Sequence, residues 1–97
     1  MKLRFTRRAV VNLNVISAYL RERSPSGTRN VRAAIYEALE NLLLFPLVGR
    51  RQEVEGVRKI VTSRYGYLIY YRVDEEQDEL VILSIRHPAE EREQRDR

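Results

Sequence analysis

The sequence predicts an α+β domain in which a helical hairpin precedes an antiparallel strand meander. Two features lead to this prediction: two amphipathic helical patterns separated by a Ser-Pro-Ser-Gly turn at residues 24–27, and three strand-like runs after residue 56 that are bounded by turn residues. With 97 residues, of which 43% are apolar, the chain has room for one core. We therefore predict a single domain over residues 1–97, with a charged tail at residues 88–97.

Two amphipathic helices account for the first half of the chain. Thr6 suits the N-cap of the first helix, and one face of that helix is apolar. Its apolar residues are Ala9, Leu13, Ile16 and Leu20. The second helix is predicted to begin near Pro25 or Ser26 and to end at Phe45-Pro46, because proline cannot continue a helix. Its apolar face comprises Val31, Ile35, Ala38, Leu39 and Leu42. Neither helix can bury its apolar face alone, so both are expected to pack on a sheet.

The predicted strands flank these helices. Lys2 to Phe5 alternates basic and apolar residues, which suits an edge strand protected by charge. Further strands are predicted over Val57 to Thr62, Tyr67 to Val73 and Leu80 to Ile85. The last of these is apolar on both faces and is therefore expected to be central or covered. Leu47 to Gly56 is predicted to be a basic loop because it has turn glycines at both ends and no helical period.

Charge is distributed unevenly along the chain. Residues 1–73 contain 14 basic and 5 acidic residues, a net charge of +9, whereas residues 74–97 contain 4 basic and 9 acidic residues, a net charge of −5. A basic body favours an anionic partner, such as nucleic acid, a protein that handles nucleic acid or an acidic polypeptide. The alternative is that the arginines are ordinary solvent-exposed residues of the helix faces and bind no partner.

Several classes of protein are disfavoured by composition. The chain has no cysteine, which excludes a disulfide framework, a thiolate zinc site and a cysteine nucleophile. No apolar run approaches the roughly 20 residues of a membrane span, and no apolar segment of a signal peptide follows the basic N-terminus. We expect a cytoplasmic protein without a metal or other cofactor.

His87 and a pair of glutamates are the residues that could carry acid-base chemistry. His87 is the single histidine and ends a predicted strand, where a catalytic role would require an orienting partner. Structural use is the favoured interpretation of His87. Glu53 and Glu55 share a loop with Arg50 and Arg51, so surface charge pairing is favoured over catalysis.

Four tyrosines lie between residues 65 and 71, in the same region as Arg58 and Arg64. Tyrosines interleaved with arginines occur on nucleic-acid-binding surfaces, but tyrosine is also favoured in strands. Alternation along the strand places Tyr67, Ile69, Tyr71 and Val73 on one face and Leu68, Tyr70 and Arg72 on the other. We expect Tyr70 or Tyr71 to be structural, and Arg58, Arg64 and Tyr67 to lie at the surface.

Four short motifs occur in a characteristic order. They are F-P-x-x-G-R at Phe45 to Arg50, G-x-R at Gly56 to Arg58, Y-x-x-x-Y-R-V at Tyr67 to Val73, and I-x-H at Ile85 to His87. Together with the order of elements they resemble the RelE/ParE superfamily of bacterial toxin-antitoxin toxins across nearly the whole chain. The resemblance implies a β-α-α-β-β-β fold, with the helical hairpin packed on an antiparallel sheet and a short C-terminal helix or tail.

The resemblance leaves two activities open. RelE-like members cut messenger RNA on the ribosome, and this branch implies catalytic roles for Glu53, Arg58, Arg64 and His87. ParE-like members are not nucleases but inhibit DNA gyrase. In the nucleases an arginine begins the central strand, and the resemblance places Tyr67 at that position. The ParE-like branch is therefore favoured, with no catalytic residues. Candidate target-binding residues are then Arg50, Arg58, Arg64, Tyr67 and His87.

Either branch implies a cognate antitoxin, here of the ParD type, whose C-terminal segment wraps the toxin. Such a segment would place apolar anchors along the helical hairpin and acidic groups against the basic body. Val10, Ile16 and Tyr19 are the candidate antitoxin contacts. A third possibility is a scaffold that has lost its toxicity and acts with the antitoxin in binding or co-repression. No small-molecule substrate is expected.

Overall fold

The computed structural model describes residues 1–90, so the prediction for residues 91–97 of the charged tail lies outside the described residues. The elements are β1 (Lys2–Phe5), α1 (Arg7–Arg23), α2 (Pro25–Leu44), β2 (Arg50–Arg51), β3 (Arg58–Val61), β4 (Leu68–Asp74) and β5 (Glu79–Arg86). Residues 88–90 begin a further helical segment. The predicted α+β class is confirmed. No helix within residues 1–90 has the length and apolar character needed to cross a bilayer.

The five strands form one sheet in the order β1-β5-β4-β3-β2. The antiparallel meander of β3, β4 and β5 is confirmed, and β1 lies at an edge as predicted. The pairing of β1 with β5 is parallel, since the chain crosses over the sheet through both helices between β1 and the meander. The basic loop from Leu47 to Gly56 is not wholly irregular, because Arg50 and Arg51 pair with β3. A strand of two residues has no period that a sequence could reveal.

Capping residues set the ends of the helical hairpin. The Thr6 hydroxyl accepts a hydrogen bond from the Ala9 N–H at 3.1 Å, as expected of an N-cap, and donates to the Leu83 carbonyl at 2.9 Å. Ser24 ends α1 and also caps α2, where its hydroxyl accepts from the Gly27 N–H at 3.1 Å. Pro25 follows in the first turn of α2, where its missing N–H is tolerated. The turn of the hairpin is therefore confined to Ser24.

The core lies between the helices and one face of the sheet. Every predicted apolar residue of α2 is buried, and Leu13, Ile16 and Leu20 of α1 pack against the core more peripherally. The predicted alternation along β4 is confirmed, because Tyr67, Ile69 and Tyr71 are buried in the core and Val73 packs against it. The register of β4 and β5 shifts between Tyr70 and Tyr71, a β-bulge. The helices α1 and α2 thus cover one face of the sheet.

Candidate binding surfaces

A hydrogen-bond cluster that is buried at Gly49 and open to solvent at Leu47 joins three of the four sequence motifs. The Tyr71 hydroxyl donates to the Pro46 carbonyl at 2.7 Å and accepts from the Gly49 N–H at 2.9 Å. Arg58 Nη1 donates to the carbonyls of Leu47 and Gly49 at 3.0 Å and 2.9 Å. These contacts fix the loop that follows α2 against β3 and β4. We call Pro46, Gly49, Arg58 and Tyr71 the loop clamp.

Gly49 is required at its position by the close approach of Tyr71. A Cβ atom at residue 49 would lie 2.5 Å from the Tyr71 hydroxyl oxygen and 2.7 Å from Cε1 of the ring. These separations are below the closest approach that real Cβ atoms tolerate, so either the ring or the loop would have to move. Burial raises the pKa of the Tyr71 hydroxyl, while the Gly49 hydrogen bond and the nearby Arg58 charge act in the opposite direction.

The clamp changes the interpretation of Arg58. This residue was expected at the surface, but it is partly buried on β3 and directs Nη1 to two backbone carbonyls. An arginine that satisfies carbonyls in this way holds a loop in place. The G-x-R motif therefore has a structural explanation in this chain. A role for Arg58 in target binding stays a prediction.

Tyr67 and His87 meet at the end of the sheet where β4 begins. Their rings make an edge-to-face contact with centroids 5.5 Å apart at 90°. His87 Nδ1 accepts a hydrogen bond from the Ala89 N–H at 3.1 Å, which caps the helical segment at residues 88–90. The expectation that Tyr67 lies at the surface is wrong, since only 5% of it is exposed. Burial raises the pKa of Tyr67, and the proximity of Tyr19 adds to this effect.

The structure also revises the start of the central strand. β4 begins at Leu68, not at Tyr67, because Tyr67 precedes the ladder and is held by a hydrogen bond from its N–H to the Thr62 hydroxyl at 3.0 Å. Leu68 is itself buried. Neither residue supplies the cation that begins this strand in the nucleases.

Two of the four residues proposed for RelE-like catalysis, Glu53 and Arg58, lie apart from His87, whereas Arg64 lies in the β3–β4 turn at the same end of the sheet as His87. Arg58 pairs with Tyr71 in the middle of β4, whereas Leu68 at the start of β4 pairs with Arg86, the neighbour of His87. Three residues of extended strand, about 10 Å, separate those two levels of the sheet. Glu53 lies in the β2–β3 loop, beyond Arg58 and away from His87.

Arg64 and Arg50 remain exposed, as expected of contact residues. Arg64 Nη2 lies 3.9 Å from a carboxylate oxygen of Glu37, an exposed ion pair that contributes little to stability. Arg50 lies on the two-residue strand β2, opposite Lys59. Within residues 1–90, no three histidine, cysteine, aspartate or glutamate side chains are grouped as metal ligands.

An apolar stripe runs along the outer side of α1. Val11, Val15 and Tyr19 recur at every fourth residue, and Val15 and Tyr19 are 62% and 56% exposed. The stripe leads into a groove of about 360 Å³ lined by α1 and by residues around Tyr67, His87 and Ala89. We call the stripe and this groove the α1 surface. Of the stripe residues, only Tyr19 is among the predicted antitoxin contacts, although the i, i+4 spacing of Val11 and Val15 with Tyr19 is visible in the sequence.

The predicted antitoxin contacts divide between this surface and the core. Val10 and Tyr19 are exposed, as a contact requires. Ile16 is partly buried and packs against the core, although it also lines the groove. Arg23 lies with its guanidinium 3.7 Å from the centre of the Tyr19 ring, which places a cation at the end of the stripe.

The face of the sheet opposite the helices is basic. Alternation and register place six basic side chains there, which are Lys2, Arg4, Arg50, Lys59, Arg72 and Arg86. Carboxylates of Glu79 and Asp74 lie 3.4 Å and 3.7 Å from Arg4 and Arg72. Arg86 lies over the Tyr70 ring at 5.5 Å. An anionic partner would therefore meet a basic face that includes an aromatic ring.

Residues 3–92 match the family model described as the ParE toxin of type II toxin-antitoxin systems. The chain belongs to this toxin family. The predicted membership of the RelE/ParE superfamily is thereby confirmed. A candidate toxin of Sinorhizobium fredii, Y4kP, is 29% identical to this ParE-family toxin over 82 residues, which are 84% of this chain and 85% of the relative.

Solved structures share the fold of this ParE-family toxin. A chain of the chromosomal ParDE system from P. aeruginosa is 29% identical with a TM-score of 0.74, and the match covers 90% of this chain and 95% of that one. A chain of the RelBE2 toxin-antitoxin complex from Mycobacterium tuberculosis is 30% identical with a TM-score of 0.60, covering 89% and 95%. A chain of the intact E. coli RelBE complex, at 20% identity, TM-score 0.66 and coverage of 89% and 94%, shows the fold alone.

Proposed function

We propose that this toxin acts without catalysis, by inhibiting DNA gyrase, and that a ParD-type antitoxin neutralises it. The observation that carries the proposal is the separation of Glu53 and Arg58 from His87, three of the residues that the nuclease branch would need. Arg58 holds two loop carbonyls, Glu53 lies at the opposite end of β3 from His87, and His87 caps a helix through Nδ1. Catalysis of phosphodiester cleavage requires a cation and proton-transfer groups to converge on one phosphate.

The match to a ParE family model and the apolar start of β4 support the same branch. The resemblance matches the arginine of the nucleases to Tyr67, and β4 itself begins with Leu68, so neither position carries a cation. Binding, unlike cleavage, needs only an accessible and complementary surface. Arg50, Arg64 and His87 are exposed and remain the proposed target contacts. Tyr67 and Arg58 are proposed to act on the target indirectly, by positioning His87 and the loop after α2.

The α1 surface is the proposed antitoxin site. Its exposed Val15 and Tyr19 would receive the apolar face of an amphipathic segment in the helix-in-groove manner. Arg7 and Arg8 precede the stripe by one turn, and Arg23 lies on Tyr19 at its other end. Cations at both ends of an apolar stripe complement a segment with acidic flanks. Related chains come from the ParDE toxin-antitoxin system of P. aeruginosa and the RelBE2 toxin-antitoxin complex of Mycobacterium tuberculosis, which supports an antitoxin partner.

One observation favours the alternative of a RelE-like endoribonuclease. The open face of the sheet carries basic residues around Tyr70, and Arg86 lies over that ring. Aromatic rings beside arginines are suited to stacking RNA bases and to binding phosphates. Cleavage would then depend on residues other than the four named from sequence.

A supercoiling assay with purified gyrase tests the proposal. We expect the toxin to inhibit supercoiling in a dose-dependent manner and the cognate antitoxin to reverse the inhibition. Undiminished supercoiling at a large molar excess of folded toxin would reject gyrase as the target. Ribosome-dependent cleavage of messenger RNA would then establish the nuclease alternative, and normal growth of cells expressing the toxin alone would indicate a scaffold without toxicity.

A further inference from the structure

A β-bulge at Leu83 exchanges the two faces of β5. Ile82 and Ile85 both lie in the core, although they are three positions apart and a regular strand would direct them to opposite faces. Successive residues of β4 pair with Ile82 and Ser84, so Leu83 is an extra residue in this ladder. One extra residue reverses the alternation of every side chain that follows it.

The bulge decides where the end of β5 directs its side chains. His87 lies two positions beyond Ile85 and therefore on the same side of the sheet, where its ring meets Tyr67 and lines the groove beside α1. Arg86 lies on the opposite side, over the Tyr70 ring. A strand without the bulge would exchange these two positions, and the histidine would leave the groove.

Two side chains from the start of α1 bind the backbone of the bulge. β1 pairs with β5 only as far as Ile82, and no other strand within residues 1–90 covers that edge of β5. The Thr6 hydroxyl donates to the Leu83 carbonyl at 2.9 Å. Asn12 Oδ1 accepts from the Ile85 N–H at 3.1 Å. The helix thus satisfies backbone groups that a neighbouring strand would otherwise satisfy.

We infer that Thr6 and Asn12 are positioning residues, which fix the bulge and thereby place His87 at the target-binding surface. The inference rests on the proposed role of His87 as a target contact. Neither Thr6 nor Asn12 is itself a contact, because both direct their polar atoms to the backbone of β5. Asn12 is the more informative residue to change, since Thr6 also caps α1.

Loss of the acceptor at position 12 should release the end of β5. Asn12→Leu has a similar volume but leaves the Ile85 N–H without its partner, which is costly for a donor that is shielded from water. The strand end is then no longer held in the bulged register, and His87 moves relative to Tyr67. Asn12→Asp keeps an acceptor on a side chain of the same length and should retain the bulge.

The single histidine makes the test direct, because in a protein without a histidine tag every imidazole signal of the nuclear magnetic resonance spectrum comes from His87. Asn12→Leu is expected to shift these signals and to weaken their Overhauser contacts with the Tyr67 ring, whereas Asn12→Asp should keep both. Asn14→Leu is the matched control, since Asn14 is an exposed asparagine of the same helix. A folded Asn12→Leu variant with the imidazole signals of the wild type would overturn the inference.

The unmodified protein provides a second measurement, which decides the question even if Asn12→Leu does not fold. Hydrogen exchange at the Ile85 amide should be slow, and the side-chain amide protons of Asn12 should show Overhauser contacts with it. An Ile85 amide that exchanges as rapidly as the exposed amides of the β4–β5 turn would refute the role of Asn12.

Gyrase inhibition connects the position of His87 to function. Asn12→Leu is expected to need a several-fold higher concentration than the wild type for half-maximal inhibition, and Asn12→Asp should restore the wild-type value. A displaced His87 with unchanged inhibition would reject Asn12 as a positioning residue for the target. Wild-type toxin without effect on gyrase would instead reject the proposed function, whereas the spectra would still decide whether Asn12 positions His87.

Discussion

The hydroxyl of Tyr71 lies against the backbone of Gly49, whose N–H donates to it at 2.9 Å across 22 residues of sequence. The same hydroxyl donates to the Pro46 carbonyl, and Arg58 donates to the carbonyls of Leu47 and Gly49. Three sequence motifs thus describe one structural unit. Their residues fix a loop whose side chains remain exposed. The residues that hold this loop in the fold are therefore different from the residues that a partner could contact.

Replacing Tyr71 with phenylalanine should destabilise the fold. The change leaves the buried Gly49 N–H and the partly buried Pro46 carbonyl without this partner, at a cost of about 1–3 kcal/mol in the free energy of unfolding. Urea denaturation measures it, with Tyr36→Phe as the control because that ring is on the surface of α2. Equal stabilities of the two variants would contradict the importance of the clamp.

Gly49→Ala should be destabilising for a steric reason. The added methyl group would meet the Tyr71 hydroxyl oxygen at 2.5 Å, and such overpacking costs about 1–3 kcal/mol. Because Tyr71→Phe removes that oxygen, the double variant should lose less stability than the sum of the two single variants. Additive losses, measured in the same urea series, would show that the hydroxyl oxygen is not what excludes a side chain at position 49.

Stability should fall in strong alkali. Burial raises the folded-state pKa of Tyr67 and Tyr71, so the folded protein favours the neutral phenols. Their contribution is fully present below the unfolded pKa, about 10 for tyrosine, and is lost as pH rises through the folded pKa. Relative to wild type, Tyr67→Phe should therefore gain stability in urea titrations run between about pH 9 and about pH 11. A difference that does not change with pH would contradict the buried state of Tyr67.

Antitoxin binding should depend on the outer side of α1. Tyr19→Ala and Val15→Asp remove apolar contact from exposed positions, and each is expected to weaken antitoxin affinity by about 2 kcal/mol, or roughly thirtyfold, if it is a central contact. Val54→Asp, on the exposed β2–β3 loop, should bind normally. Isothermal titration calorimetry with the cognate antitoxin distinguishes these results. Tight binding by both α1 variants would place the antitoxin elsewhere.

The fold was largely predictable because its signals are local and periodic. Thr6 as a cap, the buried face of α2 and the alternation of β4 all follow from spacing along a single element. The candidate site was less predictable, since exposure depends on neighbours distant in sequence. Tyr67 looks like a surface tyrosine until Ile16, Tyr19 and His87 are folded around it.

The role of Arg58 was also unpredictable, because its contacts are with residues distant in sequence. Its position in a basic, glycine-bounded region suggested a contact with an anionic target. Only the folded chain brings the carbonyls of Leu47 and Gly49 within hydrogen-bonding distance. By contrast, Val11 and Val15 carried a periodic signal, and a second apolar stripe on α1 could have been recognised from the sequence.

The most direct test of a toxin that binds rather than cuts is inhibition of gyrase by a variant lacking the supposed catalytic groups. Glu53→Gln, Arg64→Gln and His87→Gln combined leave the loop clamp intact and remove the accessible acid, cation and imidazole of the nuclease proposal. Arg64 and His87 are also proposed contacts, so the account predicts that the triple variant needs a higher concentration but still reaches complete inhibition of supercoiling. Wild-type toxin that leaves supercoiling untouched, while cleaving ribosome-bound messenger RNA in a manner the triple variant cannot, would contradict it.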